Sequence, residues 1–277
     1  MSEAKLEVRA ASEPLMVGKR GLVMGVANDR SLAWGIANKL HQSGADIAFT
    51  YQGETFKKRV EPLANSINCE ENLIDCDVLN ENELINAYDF IKEKWGQIDF
   101  IVHSIAHSDK NELNGKYIDT SRENFLKTLE VSCFSLTNIT KTFEPLINDN
   151  GSILTLTYGG SERVIPNYNV MGVAKAALES SVRYLAVDLG DRGIRINALS
   201  AGMMRTLAGS AVKNARSMFN FAEKHKPLKN IPLDLEDIGS SGLYLLSDLS
   251  RGVTGEIHYV DQGYNFIGMP KTDNLKD

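Results

Sequence analysis

The chain has 277 residues, 43% of them hydrophobic and 24% charged, with a formal net charge of −6 and a pI near 5.5. That composition is ordinary for a globular protein large enough to bury a core without disulfides or metals, and its acidity points away from nucleic acid as a partner. No repeat or low-complexity segment occurs, and no apolar run approaches the roughly 18 residues a bilayer span needs, so no membrane partner is expected.

Residues 1–17 carry Glu3, Glu7 and Glu13 and only the short apolar run Leu15, Met16, Val17. They fit neither a secretory signal nor an acid-poor transit peptide, so a flexible N-terminal arm on a cytoplasmic protein is expected. Three scattered cysteines (Cys69, Cys76, Cys133) without a paired spacing suit a reducing compartment. No His, Cys or carboxylate cluster has metal-ligand spacing, so no metal is implied.

From residue 18 onward, short apolar runs alternate with helix-period segments. Strands are predicted over 21–26, 46–51, 72–75, 98–103, 151–157, 194–199 and 256–260, and helices over 31–43, 54–67, 80–95, 121–147, 168–189, 209–220 and 234–247. The alternation predicts an α/β, single-domain, Rossmann-like doubly wound parallel sheet of about seven strands, ordered 3-2-1-4-5-6-7, across 18–268 with a tail over 269–277. The 203–230 connection is far longer than usual and reads as a substrate-binding loop. Phe125, Leu129, Cys133, Leu136 and Phe143 recur at helical spacing, as do Ala174, Ala177, Ser181 and Leu185. Either both helices pack on their own sheet or the pair forms a dimer interface.

The first predicted strand ends at Gly25, where a missing Cβ lets a phosphate approach. Ser31 can cap the following helix and face phosphate, and Gly35 permits close helix–strand contact. Tyr51 and Gln52 end strand two, where an acidic residue usually meets the adenosine ribose; Gln52 can bond ribose hydroxyls, and no Lys or Arg adjoins it to hold a 2′-phosphate. That favours NADH over NADPH. After strand three, Asp77 can accept from the adenine amino group while Val78 packs on the ring, unless Asp77 is a helix N-cap. Strand four ends in His103, Ser104, Ile105 and Ala106; the last three let a cofactor pass, and His103 and His107 take packing or polar structural roles.

Tyr88 and Lys92 form the sole Tyr-x3-Lys pattern, on the helix before strand four, remote from the ligand edge. After strand five, Tyr168 and Lys175 lie seven apart, two turns on one helix face, and Tyr158 ends the strand that feeds them. Two phenols and an ammonium can thus converge at the nicotinamide, or be two structural tyrosines and a solvated lysine.

At these residues the chain resembles the bacterial-type NADH-dependent enoyl-acyl-carrier-protein reductases of the short-chain dehydrogenase/reductase superfamily, over roughly 18–268. The likeness rests on Gly25-x5-Ser31-x-Ala33, Phe-Thr-Tyr-Gln52, Cys-Asp77-Val78, His-Ser-Ile105, Tyr158 with Tyr168-x6-Lys175, and the run from Ile196 through Gly202 to Arg205-Thr-Leu-Ala208. It implies a trans-2-enoyl thioester substrate on an acyl carrier protein, reduced by NADH in the last step of fatty-acid elongation, and a homotetramer. It implies that Tyr168 donates to the enolate oxygen, that Lys175 holds the nicotinamide ribose, and that Tyr158 shapes the acyl pocket. It further places Leu32, Ser104, Met204, Arg205, Thr206, Leu207 and Ala208 on the cofactor and Ser108 with Tyr158 and Tyr168 on the substrate. One departure stands out: Met203 follows Ala201-Gly202 where the family has proline.

The 203–230 loop is oily and basic. Leu207, Val212, Met218, Phe219 and Phe221 can line an acyl channel. Arg205, Lys213, Arg216, Lys224, Lys226 and Lys229 face a single acid, Glu223, and suit an acidic carrier protein or its phosphopantetheine phosphate; a solvated amphipathic loop is the alternative. Rival functions are a ketoacyl-thioester reductase, which needs a Tyr-x3-Lys with an upstream serine, and a non-catalytic dinucleotide-binding regulator.

Overall fold

The structure, a computed structural model, describes residues 14–204, 206 and 214–269. In chain order it runs β1 (Arg20–Met24), α1 (Leu32–Gln42), β2 (Asp46–Tyr51), α2 (Gly53–Ser66), β3 (Leu73–Asp75), α3 (Glu81–Trp95), β4 (Ile98–His103), α4 (Arg122–Leu129), α5 (Ser135–Phe143), β5 (Ile147–Thr157), α6 (Asn169–Leu189), β6 (Arg195–Ala201), α7 (Ala215–His225), α8 (Leu235–Leu246) and β7 (Ile257–Val260). The seven strands form one parallel sheet in the predicted order, 3-2-1-4-5-6-7.

Alternation along the strands fills two cores, because successive side chains leave opposite faces of a sheet. Leu22, Met24, Ile101, Ile153 and Ile196 face α3, α5 and α6. Val23, Phe100, Val102, Leu154 and Leu199 face α1, α2 and α8. Both faces are covered, so the strands read as continuous apolar runs without a polar face.

Several boundaries differ from the sequence reading. Met16 is buried and its N–H donates to Ser43 O (2.8 Å), so the packed body begins before residue 18. The segment predicted as one helix over 121–147 is α4, a π-helical turn Glu130–Phe134, and α5, which stops at Phe143 before Pro145. In the π turn, Ser132 Oγ accepts from His107 N (3.0 Å) and donates to His107 O (3.1 Å), tying the helix to the loop after β4. The helix predicted over 209–220 is observed as α7, which ends ahead of Pro227; residues 209–213 lie outside the described residues.

The apolar stripes on α4, α5 and α6 face inward. Leu136 and Phe143 lie in the main core, Phe125 and Leu129 pack on Val170, Met171 and Ala174, and Cys133 Sγ lies 3.6 Å from Ser181 Oγ. The outward faces carry other apolar residues: Leu126, Phe134, Val173, Tyr184 and Val187. Gly35 serves a helix–helix contact, not a helix–strand one: a Cβ there would lie 2.8 Å from Leu235 O of α8.

Candidate active site

Parallel register gathers the chemistry at one sheet edge. Met24 pairs with His103, and His103 with Thr155, so the residues that follow β1, β4 and β5 emerge side by side. Ligands of open α/β sheets bind at such carboxyl ends, at the point where strand order reverses, here between β1 and β4. A cavity of about 460 Å³ opens there, walled by Gly25, Ser31, Ser104, Tyr158, Tyr168 and Lys175 among others.

Gly25 has φ +95°, and a Cβ on it would sit 2.0 Å from Ser104 O, so the glycine is required by the neighbouring strand end as much as by any ligand. Ser31 does not cap α1 with its side chain; its Oγ instead accepts from Ala27 N (2.9 Å) and Asn28 N (3.0 Å), shaping the β1–α1 turn. Gln52 Nε2 donates to Asp77 Oδ2 (2.7 Å), which joins the ends of β2 and β3. Asp77 is not the N-cap of α3; Asn80 is, accepting from Asn82 N and Glu83 N. Val78 is buried in the core.

Tyr158 closes β5 and Tyr168 precedes α6. Their rings meet edge to face, centroids 5.2 Å apart at 75°. Gly160 and Gly172 permit this: a Cβ on Gly160 would lie 2.5 Å from the Tyr168 ring, and one on Gly172 would lie 2.7 Å from Gly160 O. Burial pushes the pKa of both phenols well above the ordinary value, so both remain protonated donors. Two turns on, Lys175 is buried and its Nζ donates to Leu156 O (2.7 Å). Burial lowers its pKa to about 8, against the opposing influence of Cys133 and Glu179.

His103 is wholly enclosed between Thr155 Oγ1 (2.8 Å) and Ser135 Oγ (2.9 Å). Burial, then the Lys175 charge, lowers its pKa to about 3, so it stays neutral and structural. Ser108 lines the cavity and bonds Asn124 and Thr128. Tyr88 and Lys92 stack on each other on α3, away from this edge.

The cavity also takes in Leu32, Ile105, Met204 and Thr206 from the sequence reading, but not Gln52, Asp77 or Val78, which stand farther along the edge. Arg205, Leu207, Ala208, Val212 and Lys213 lie outside the described residues. From α7, Met218 and Phe219 reach the cavity, whereas Phe221 does not: it is exposed and packs on His225. Lys226 is no part of a solvated rim. It is buried, paired with Glu223 Oε2 (2.8 Å) and bonded to Ile231 O (3.1 Å). Phe56, Leu113 and Met171 line the cavity without having been singled out, since apolar residues at helix or loop positions look like core until tertiary contacts are known.

The enoyl-(acyl carrier protein) reductase family model matches residues 25–265. The chain is 59% identical to the NADH-dependent enoyl-[acyl-carrier-protein] reductase 2 of Rhizobium meliloti, over 95% of this chain and 97% of that one. Among solved structures, FabI from Candidatus Liberibacter asiaticus superposes with a TM-score of 0.90 at 55% identity, covering 93% of this chain and 99% of that one. An enoyl-(acyl-carrier-protein) reductase from Anaplasma phagocytophilum in complex with NAD gives 0.89 at 50% identity, covering 95% and 97%. With its parallel sheet, its two tyrosines and its buried lysine at one cavity, this chain belongs to the enoyl-(acyl carrier protein) reductase family.

Proposed function

We propose that the chain reduces the carbon–carbon double bond of trans-2-enoyl-acyl-carrier-protein thioesters with NADH, the closing step of a fatty-acid elongation cycle. The observation that carries this is the meeting of Tyr158, Tyr168 and Lys175 in one cavity at the switch point of the sheet. The cavity suits a dinucleotide: a strand end without a Cβ at Gly25, the amino end of α1, and an edge continuing to the Gln52–Asp77 pair, where the amide can meet ribose hydroxyls. NADH, when bound, supplies the hydride that reaches the β-carbon of the enoyl thioester.

Charge then gathers on the thioester oxygen. Tyr168, protonated throughout, donates to that oxygen, and the contact strengthens as the enolate forms, which lowers the barrier. Lys175 holds the nicotinamide ribose and supplies positive potential from a water-poor position. Tyr158, edge-on to Tyr168, fixes that ring and shapes the acyl pocket with Ser108 nearby. Arg205, Leu207 and Ala208 complete the assignment to the cofactor with Ser31, Leu32, Val78, Ser104, Ile105, Met204 and Thr206.

The carrier protein is read from the exposed Arg216, Lys224 and Lys229 beside the mouth that Met218 and Phe219 line. A homotetramer is read from the apolar outer faces at Leu126, Phe134, Tyr184 and Val187, which a second copy would cover. Cytoplasmic residence is supported by three free cysteines; no helix among the described residues is long and apolar enough to cross a membrane.

NADH absorbance followed with crotonyl and acetoacetyl thioesters tests the activity. Oxidation with the enoyl substrate alone supports it; oxidation with the ketoacyl substrate alone, or with neither, defeats it.

A further inference from the structure

The carboxyl end of β5 and the residue after it make three successive contacts with α6 and the residue that precedes it. Leu156 O accepts from Lys175 Nζ (2.7 Å), Thr157 Oγ1 donates to Glu179 Oε1 (2.6 Å), and the Tyr158 ring meets Tyr168. The middle contact is not accounted for by the chemistry above. Glu179 is 5% exposed, a rare state for a carboxylate, and its hydroxyl partner Thr157 lines the catalytic cavity. It stands one helical turn beyond Lys175 on the same face of α6.

We propose that Glu179 is a positioning residue: its carboxylate, held by Thr157, is the counter-charge that keeps the buried Lys175 protonated and aimed at the cofactor ribose. This rests on the assignment of Lys175 made above. A buried ammonium bonded to one carbonyl is costly unless an opposite charge stands near it. Cys133 first, and then Glu179, oppose the fall in the Lys175 pKa that burial causes.

The other groups around the pair do not substitute for it. On α6 and at its start stand Tyr168 and Lys175 themselves; β5 brings Tyr158, β4 brings His103, the π turn brings Cys133, and β7 brings Tyr259. The three phenols stay protonated and His103 stays neutral, so among the described residues Cys133, whose influence on Lys175 is the larger, is the one competitor.

The test is the pH dependence of kcat/KM with a crotonyl thioester and, separately, of the NADH dissociation constant by fluorescence. Glu179 raises the lysine pKa, so removing its charge lowers it, and the ammonium is lost at lower pH. Glu179→Gln, which keeps the shape and an acceptor for Thr157, is expected to move the alkaline limb of both profiles down by about one pH unit. Glu179→Asp, which keeps the charge, is expected to restore the limb in part.

A limb unmoved by Glu179→Gln, or moved as far by Cys133→Ala, overturns the proposal. Should the glutamine variant fail to fold, Thr157→Ser and Thr157→Val decide: the serine keeps the donor and the wild-type limb, the valine frees the carboxylate and shifts it. Matching limbs in those two variants overturn the proposal. Lys175→Met separates the two levels. Wild-type NADH affinity and turnover in that variant defeat the lysine assignment itself, whereas their loss beside an unmoved Glu179→Gln limb defeats only the positioning role.

Discussion

The β5–α6 edge and the α7 segment face the same cavity but are built on opposite terms. Helix α6 buries ten of its 21 residues, and its Lys175 and Glu179 are tied to Leu156 and Thr157, successive residues of a central strand. Helix α7 buries one of 11, Ala222, and among the described residues its firmest anchor is Lys226, just beyond its end. A donor aimed at developing charge loses its effect if displaced by about 1 Å, so it belongs on packed secondary structure. The acyl-chain wall proposed for Met218 and Phe219, which line the cavity, gains from adaptability, and a sparsely packed amphipathic helix supplies it.

The sharpest way to break that contrast is Tyr168→Phe. Loss of a preorganised donor to the enolate oxygen is expected to cut turnover by roughly 10²–10³-fold while NADH binding stays near wild type. Single-turnover kinetics beside a fluorescence titration check it, and undiminished turnover would remove the chemistry from the rigid edge. Gly25→Ala probes the same edge through stability. A φ of +95° and a contact of 2.0 Å with Ser104 O leave no room for a methyl. The strain alone costs roughly 1–3 kcal/mol, read as a lower denaturation midpoint at constant slope.

On the other side of the comparison, Lys226→Met removes the tie between α7, Glu223 and Ile231. A severalfold rise in KM for long-chain enoyl thioesters is expected, with kcat for a short crotonyl substrate little changed; equal losses for both lengths would mean that α7 is as rigidly coupled as α6. The smallest effect is expected from Lys224→Glu with Lys229→Glu. KM for carrier-bound substrate should rise roughly three- to tenfold, more at low salt, against little change for the coenzyme A thioester. Parallel changes would remove carrier docking from this rim.

Legibility in the sequence followed the same divide. The parallel sheet and the grouping of Tyr158, Tyr168 and Lys175 could be read because short continuous apolar runs between helix-period segments, and a two-turn helix spacing, are local facts. The substrate side was read less well. Lys226 reads as part of a basic rim for an acidic carrier, but its pairing with Glu223 and Ile231 O buries it, and Phe221 reads as channel lining, but α7 turns it toward His225. Ser31 stands at the N-cap position of α1, but its hydroxyl turns to Ala27 N and Asn28 N, and the N-cap of α3, open to Asp77 as an alternative, is Asn80, since a short polar side chain near a helix start has several backbone N–H groups within reach.

By itself the sequence determined which segments become strands and helices and that Lys175 stands two turns beyond Tyr168, because each depends on spacing within one stretch of chain. Only the tertiary structure decided what those side chains meet: that Thr157 holds a buried Glu179 one turn from Lys175, that Gly25 yields to Ser104, and that the stripes on α4 to α6 turn inward. Those contacts join residues distant in the chain, and distance along the chain carries no record of which neighbour will be present when the sheet closes.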